Sequence, residues 1–180
     1  ILKIIKLLNI SLEDLYDNIK SICYRKGTWR GKSSLNVKLP QNFEDFFYLN
    51  GIMLGDGSHK KFIVGKHELE NIFVNICKNL GINITYRDYG YRTREIVTNE
   101  TLARMLNCIF DYPLKKKSHN IKISEILWKA DKKYVSKFIR GYFDTDGCVE
   151  KSRRAISVSS ASSEMLKGLS LLLLRFGCVP

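Results

Sequence analysis

Two stretches of this chain are copies of one pattern, and that repeat limits the possible folds more than any other feature. Tyr48-Leu49-Asn50-Gly51-Ile52-Met53-Leu54-Gly55-Asp56-Gly57 superposes on Phe138-Ile139-Arg140-Gly141-Tyr142-Phe143-Asp144-Thr145-Asp146-Gly147. Gly51 then meets Gly141, Gly55 meets Thr145, Asp56 meets Asp146 and Gly57 meets Gly147. Strand signals and a helix follow each copy, and then Leu80-Gly81-Ile82 in one and Phe176-Gly177-Cys178 in the other. Chance supplies one helix ending in Asp-Gly more easily than two in matched surroundings.

The spacing suggests what the repeat is for. Gly51 and Gly55 lie one turn apart on a helical face, as do Gly141 and Thr145. Small residues at that interval let two helix backbones approach closely. If the helices pack through these faces their C-terminal ends meet, and Asp56 and Asp146 become neighbours. An acid at a helix C-terminus opposes the helix dipole, and two adjacent carboxylates repel unless one is protonated or a cation lies between them. Hard oxygen donors suit Mg²⁺, with Gly55 and Thr145 beside the acids as further candidate ligands. A cation clamped between carboxylates suits attack of water on a phosphodiester. The plainer alternative is that both Asp-Gly pairs only terminate helices.

A formal charge of +12 and a pI near 9.5 point to a polyanionic partner, nucleic acid first and an acidic membrane surface second. The apolar share argues against disorder. Cys23, Cys77, Cys108, Cys148 and Cys178 form no CxxC pair and are odd in number, which disfavours a disulfide framework or a zinc site. A reducing, cytoplasmic setting is the default. His59, His67 and His119 have no metal-binding spacing, and His119-Asn120 is an uncompleted fragment of an HNH-type motif. The apolar opening Ile1-Leu2-Lys3-Ile4-Ile5-Lys6-Leu7-Leu8 is too short to span a membrane. Because the chain begins with Ile1, it reads as cut from a longer polypeptide.

Residues 1 to about 22 read as one or two short helices, with Ser11 and Asp14 near an N-cap. The basic, aromatic run from Tyr24 to Lys32, with Trp29, reads as part of a loop or linker reaching Pro40. Helices are predicted from Asn42 to Gly55, over about 67–80, 99–109 and 132–146, and from Ser162 to Phe176. Strands are predicted at 61–64, 82–87 and 93–97, with two more between the last two helices. The run Lys115-Lys116-Lys117 reads as a solvated loop or a phosphate contact. The predicted divisions are an N-terminal segment and linker at 1–39, a first half-domain at 40–130 and an incomplete second half-domain at 131–180.

The two motif copies resemble those of LAGLIDADG homing endonucleases, especially the two-motif kind found in archaeal inteins. Ile156-Ser157-Val158-Ser159-Ser160-Ala161-Ser162-Ser163-Glu164-Met165-Leu166, closing on Leu171-Leu172-Leu173-Leu174-Arg175-Phe176-Gly177, is similar to the segment after the second motif in those enzymes. The resemblance covers about Leu39 to Pro180. It implies an α+β fold in which an αββαββα half-domain is used twice with pseudo-two-fold symmetry, the second half truncated. It further implies a saddle of strands along the DNA major groove and Mg²⁺ at catalytic Asp56 and Asp146. The implied product is a staggered double-strand cut across the minor groove. Lys66 looks like the family's supporting basic residue, the alternative being a solvated lysine at a helix start. The second half has Ser160-Ala161-Ser162 at the matching place, with no base. Only Cys178-Val179-Pro180 follow Gly177, so the outer strand pair is expected to be missing. Cutting by the chain as it stands is therefore in question. The expected molecule is a monomer, with dimerisation or strand exchange open to it. The splicing residues of an intein are absent, so no splicing is expected.

A strand pair in the major groove presents alternate side chains to base edges. Candidate DNA contacts are Lys60 and Lys61 at the first strand, and Arg87, Arg92 and Arg94 around Gly90. Lys151, Arg153 and Arg154 hold the matching place in the second half. Solvated strand edges are the alternative for each. Two rival enzyme readings fit less well. Phe143-Asp144-Thr145-Asp146-Gly147 resembles the DxDG loop of haloacid-dehalogenase-type phosphatases, but lies late and after a helix. A calcium loop needs acids after Gly147 that are not there. The non-enzymatic alternative is a DNA-binding protein or RNA-splicing cofactor on the same scaffold.

Overall fold

A computed structural model describes residues 19–23, 36–88, 90 and 93–180. The expected N-terminal helices before Ile19, the basic segment from Tyr24 to Lys32 with Trp29, and Arg92 lie outside the described residues. The fold is α+β, as expected, with antiparallel sheets.

Helix α1 (Phe43–Gly55) starts at Asn42, whose side chain accepts from the backbone N–H of Glu44 at 3.0 Å and of Asp45 at 3.4 Å. Every residue from Phe46 to Leu54 is buried, so this helix has no solvent face and runs through the middle of the core. Strands β3 (Gly57–Ser58) and β4 (Lys61–Val64) follow, then α2 (His67–Asn79), β5 (Thr85–Asp88), β6 (Arg94–Val97) and α3 (Glu100–Phe110). The sheet order is β3-β4-β6-β5, all antiparallel. Phe62 of β4 stacks on Phe73 of α2 at 4.5 Å between ring centroids, which ties the sheet to its helix.

Two short helices, α4 (Lys117–Asn120) and α5 (Glu125–Lys129), lead into α6 (Lys132–Asp146). The hairpin β7 (Gly147–Glu150) and β8 (Ala155–Val158) comes next, then α7 (Ser163–Leu174). Ser162 caps α7 by accepting from Met165 N–H, while its own hydroxyl donates to the Ile121 carbonyl at 2.6 Å. Arg175 donates to the carbonyls of Leu127, Trp128 and Ala130 and so closes the C-terminus of α5. A helix ending at Asp-Gly, two strands and a second helix thus occur twice, and Gly81 and Gly177 follow the second helix of each set with positive φ, +67° and +77°.

Most expected elements stand within a residue or two of their predicted ends. The strand expected from Ile82 begins at Thr85 instead, because Ile82 is buried and its N–H bonds the Cys77 carbonyl at the end of α2. Two readings of the N-terminal region change. Ser21–Ile22, expected at the end of a helix, form β1, and Val37–Lys38, expected in a linker, form β2 against it. Val37 is fully buried and the Lys38 N–H bonds the Leu80 carbonyl, so the linker's end is anchored to the core.

Candidate active site

Helices α1 and α6 share the most extensive packing of any two elements. A Cβ added to Gly51 would overlap the Phe138 carbonyl and lie 2.8 Å from Tyr142 N. One added to Gly141 would overlap the Tyr48 carbonyl and lie 3.2 Å from Ile52 N. These are backbone-to-backbone contacts, which only glycine permits. Where Gly55 faces Thr145 the contact is different: an added Cβ would overlap the threonine hydroxyl and sit 3.4 Å from the Asp146 carboxyl carbon. The small-residue faces therefore pack as the spacing predicts, and both helices deliver their terminal acids to one place.

Asp56 and Asp146 both have pKa values raised above the usual carboxylate range, chiefly because burial penalises charge. The Asp146 carboxylate adds repulsion at Asp56. Fully buried Tyr142 brings its hydroxyl close to Asp146 and Ser160.

The cation facing the two acids is Lys117, a residue the sequence pattern did not single out. Its ammonium donates to the Leu54 carbonyl at 2.8 Å, to the Gly55 carbonyl, and at 3.4 Å to that of Met53. These are the orphan acceptors at the C-terminus of α1, where a positive charge is favourable. Burial pushes the Lys117 amine down to about 8, even though Asp146 and Asp56 both pull it up. A cavity lined by Lys117, Gly55, Asp146 and Ser159-Ser160-Ala161 opens beside it. Lys117 comes from the start of the short helix α4, between α3 and α6. Its only sequence signal was its place in a lysine run.

Lys66, expected as the basic partner, stands at the N-cap of α2 and donates to the Asp144 carbonyl at 3.4 Å. It is exposed, and its charge helps keep Asp56 ionised. Asp144 itself is engaged elsewhere, accepting from the Tyr48 hydroxyl at 2.7 Å with Arg140 at 3.5 Å. Asp144 and Asp146 therefore do not act together, which removes the phosphatase-like reading. Thr145 turns its hydroxyl back to donate to the Tyr142 carbonyl at 2.8 Å.

Of the expected DNA contacts, Lys61 and Arg87 share one face of the sheet while Arg94 is on the other, paired with Glu70 of α2 at 3.6 Å. Lys60 lies in the β3–β4 turn, its carbonyl held by Thr98. Lys151, Arg153 and Arg154 form the exposed β7–β8 turn, with Arg153 at 3.5 Å from Glu150.

No group of three or more His, Cys, Asp or Glu side chains suited to a metal occurs among the described residues. A magnesium ion needs fewer, because it keeps several waters and takes one or two carboxylates. Two destabilised carboxylates at adjoining helix ends are a donor set of that kind.

The pKa shifts make a stability prediction. A raised carboxylate favours the fold below its ordinary pKa and loses that contribution as pH rises through the raised value. A lowered amine disfavours the fold below about 8 and ceases to do so above its ordinary value of 10.5. Near neutral pH all three charged groups therefore oppose folding. Without metal, Asp146→Asn should melt above the parent near neutral pH. Mg²⁺ should raise the melting midpoint of the parent and leave that of the variant nearly unchanged. A variant melting below the parent would contradict this account of the pair.

Residues 133–180 match the model of a LAGLIDADG-like domain. The chain is also 40% identical over 169 residues to a segment of elongation factor 2 of Methanopyrus kandleri. It is 37% identical over 174 residues to part of a probable translation initiation factor IF-2 of Thermococcus kodakarensis. It is 34% identical over 151 residues to part of the DNA-directed RNA polymerase subunit Rpo1C of Methanocaldococcus jannaschii. Those matches cover 94%, 92% and 78% of this chain but only 13%, 15% and 16% of the relatives, so the chain corresponds to a small part of each. All five cysteines are free, and no described helix is long and apolar enough to cross a membrane.

Proposed function

From a chain that belongs to the LAGLIDADG-like family, we infer a site-specific double-strand DNA endonuclease, the cutting module of an intein, built as two half-domains at 40–130 and 131–180 about a pseudo-two-fold axis. The observation that carries this reading is the glycine-lined crossing of α1 and α6, which sets Asp56 and Asp146 together with Lys117 at the same helix end. The distribution of relatives supports it. An elongation factor, an initiation factor and a polymerase subunit share no one activity in their names, yet each has a segment like this chain. A module that copies itself between genes by cutting DNA has that distribution.

Asp56 and Asp146 would hold Mg²⁺, with the carbonyls of Gly55 and Thr145 beside them. When bound, the metal would supply an activated water and charge neutralisation at the phosphodiester. The chain's own residues do the rest. The buried glycine contacts hold the two carboxylates in fixed relation. Lys117 Nζ, with its pKa brought down to about 8, can hold or give up a proton near neutral pH at the helix end that carries the two acids. Lys66 adds positive charge on the Asp56 side. The sheet face carrying Lys61 and Arg87 would lie in the major groove, and the lysines and arginines of the β7–β8 turn would hold phosphate.

The test starts with selection of a duplex from a randomised library by its affinity for the chain. The selected duplex is then cloned into a supercoiled plasmid. Linear product should form with Mg²⁺ and not with a chelator. Lys117→Met should slow cutting by about 10²-fold or more while binding persists. Tight binding with no Mg²⁺-dependent cutting would replace the endonuclease by a non-catalytic DNA-binding protein.

A further inference from the structure

The sheet of the first half carries an acid where a DNA-binding surface should have none. Along β4, β6 and β5, the directly opposed residues Phe62, Ile96 and Tyr86 share the helix-side face, and Phe62 and Ile96 are fully buried there. Ile63, Glu95 and Arg87 form the next row, and side chains alternate, so this row is on the opposite face with Lys61. Glu95 occupies β6, which has a strand on both sides. Its side chain is only 10% exposed, because cations from the two flanking strands cover it. Lys61 Nζ donates to Oε2 at 3.0 Å, and Arg87 Nη1 lies 3.6 Å from Oε1. Lys61 and Arg87 remain 36% and 56% exposed, so their outer donors face solvent.

A surface that held DNA only through its phosphates would not bury a carboxylate here, since the acid repels phosphate and its desolvation is unfavourable. A surface that reads a base has a use for it. A guanidinium paired with a fixed carboxylate on its inner side presents the rest of a planar fork in a preferred direction, the geometry that meets the O6 and N7 of guanine. The anchoring acid also cancels positive charge that would otherwise hold any duplex. We propose that Glu95 is a specificity-determining positioning residue: it aims Arg87 at a guanine in the major groove and suppresses sequence-independent attraction by Lys61 and Arg87. This rests on the reading of the chain as a DNA endonuclease.

A role in specificity separates from a purely structural role in the direction of one effect. Glu95→Gln keeps the shape and removes the charge. Its affinity for random-sequence duplex should rise, with a salt dependence steeper by about one phosphate equivalent, a slope change near −0.9. In selection from the randomised library, preference for guanine at one position should fall by roughly tenfold or more. Arg87→Lys should lose the same guanine preference, because lysine keeps the charge without the planar fork. The proposal is overturned if Glu95→Gln weakens random-duplex binding and lowers the melting midpoint together, since the acid then only supports the sheet. It is equally overturned if both variants keep the parent's guanine preference. Should the parent bind no duplex, the endonuclease reading fails as well. If the parent binds and cuts while these variants select the same sites as the parent, this inference alone fails.

Discussion

Asp56→Asn and Asp146→Asn should each lower Mg²⁺-dependent plasmid cutting by at least about 10³-fold, an effect of about 4 kcal/mol on the barrier, while the affinity for selected duplex without metal is kept or raised. The substitution retains the size and one oxygen of the side chain but removes the charge that holds the cation. Both acids stand at the same helix crossing, so loss of either should impair both strand cuts and not simply leave a nick. The same substitutions should not unfold the chain, because burial and mutual repulsion already oppose the charged form of both residues. Cutting and melting should therefore move in opposite directions. A variant losing both would show that the acids support the fold instead of the chemistry. Parent-like cutting by either would remove that residue from the proposed site.

Gly51→Ala and Gly141→Ala should each destabilise the chain by about 3 kcal/mol or more, at the upper end of what overpacking costs. The added methyl meets the backbone of the opposite helix in both cases, and a carbonyl cannot rotate away as a side chain can. The helices would have to separate, and with them the apolar residues of α1 that are buried on every side. Gly55→Ala makes a useful contrast. Its obstruction is the Thr145 side chain, so Thr145→Gly should recover much of the lost stability, whereas no single side-chain deletion should rescue Gly51→Ala. Chemical denaturation of the three variants and the double variant measures this. Equal rescue at Gly51 and Gly55 would show that the backbones are less tightly apposed than the contacts imply.

Much of this arrangement is legible in the residues themselves. The apolar period from Phe43 to Gly55 and from Lys132 to Asp146 marks both central helices. Asn42, Asn99 and Ser162 mark helix starts, and each does accept a backbone N–H as a cap. Gly81 and Gly177 mark helix ends that need positive φ. Small residues one turn apart indicate a close helix crossing, and the Asp-Gly after each indicates which end of the crossing matters. All of these are statements about a residue's own backbone or about neighbours one turn away, and such information is contained in local sequence.

The remaining features involve partners far apart in the chain. Lys117 looks like its neighbours in a basic run until the end of α1 presents carbonyls with no other donor. Arg87 and Arg94 look equivalent beside one turn. Strand register then sends Arg87 to the face of Lys61 and Glu95, and Arg94 to the face packed on α2. In a sheet, moving one position along a strand reverses the direction of the side chain, and the register is set by hydrogen bonds to strands elsewhere. Which helices form, and that their acids come together, was written into the order of residues, because periodicity and small side chains act locally. Which cation joins those acids, and which arginine shares a sheet face with Lys61, depended on where distant segments come to rest.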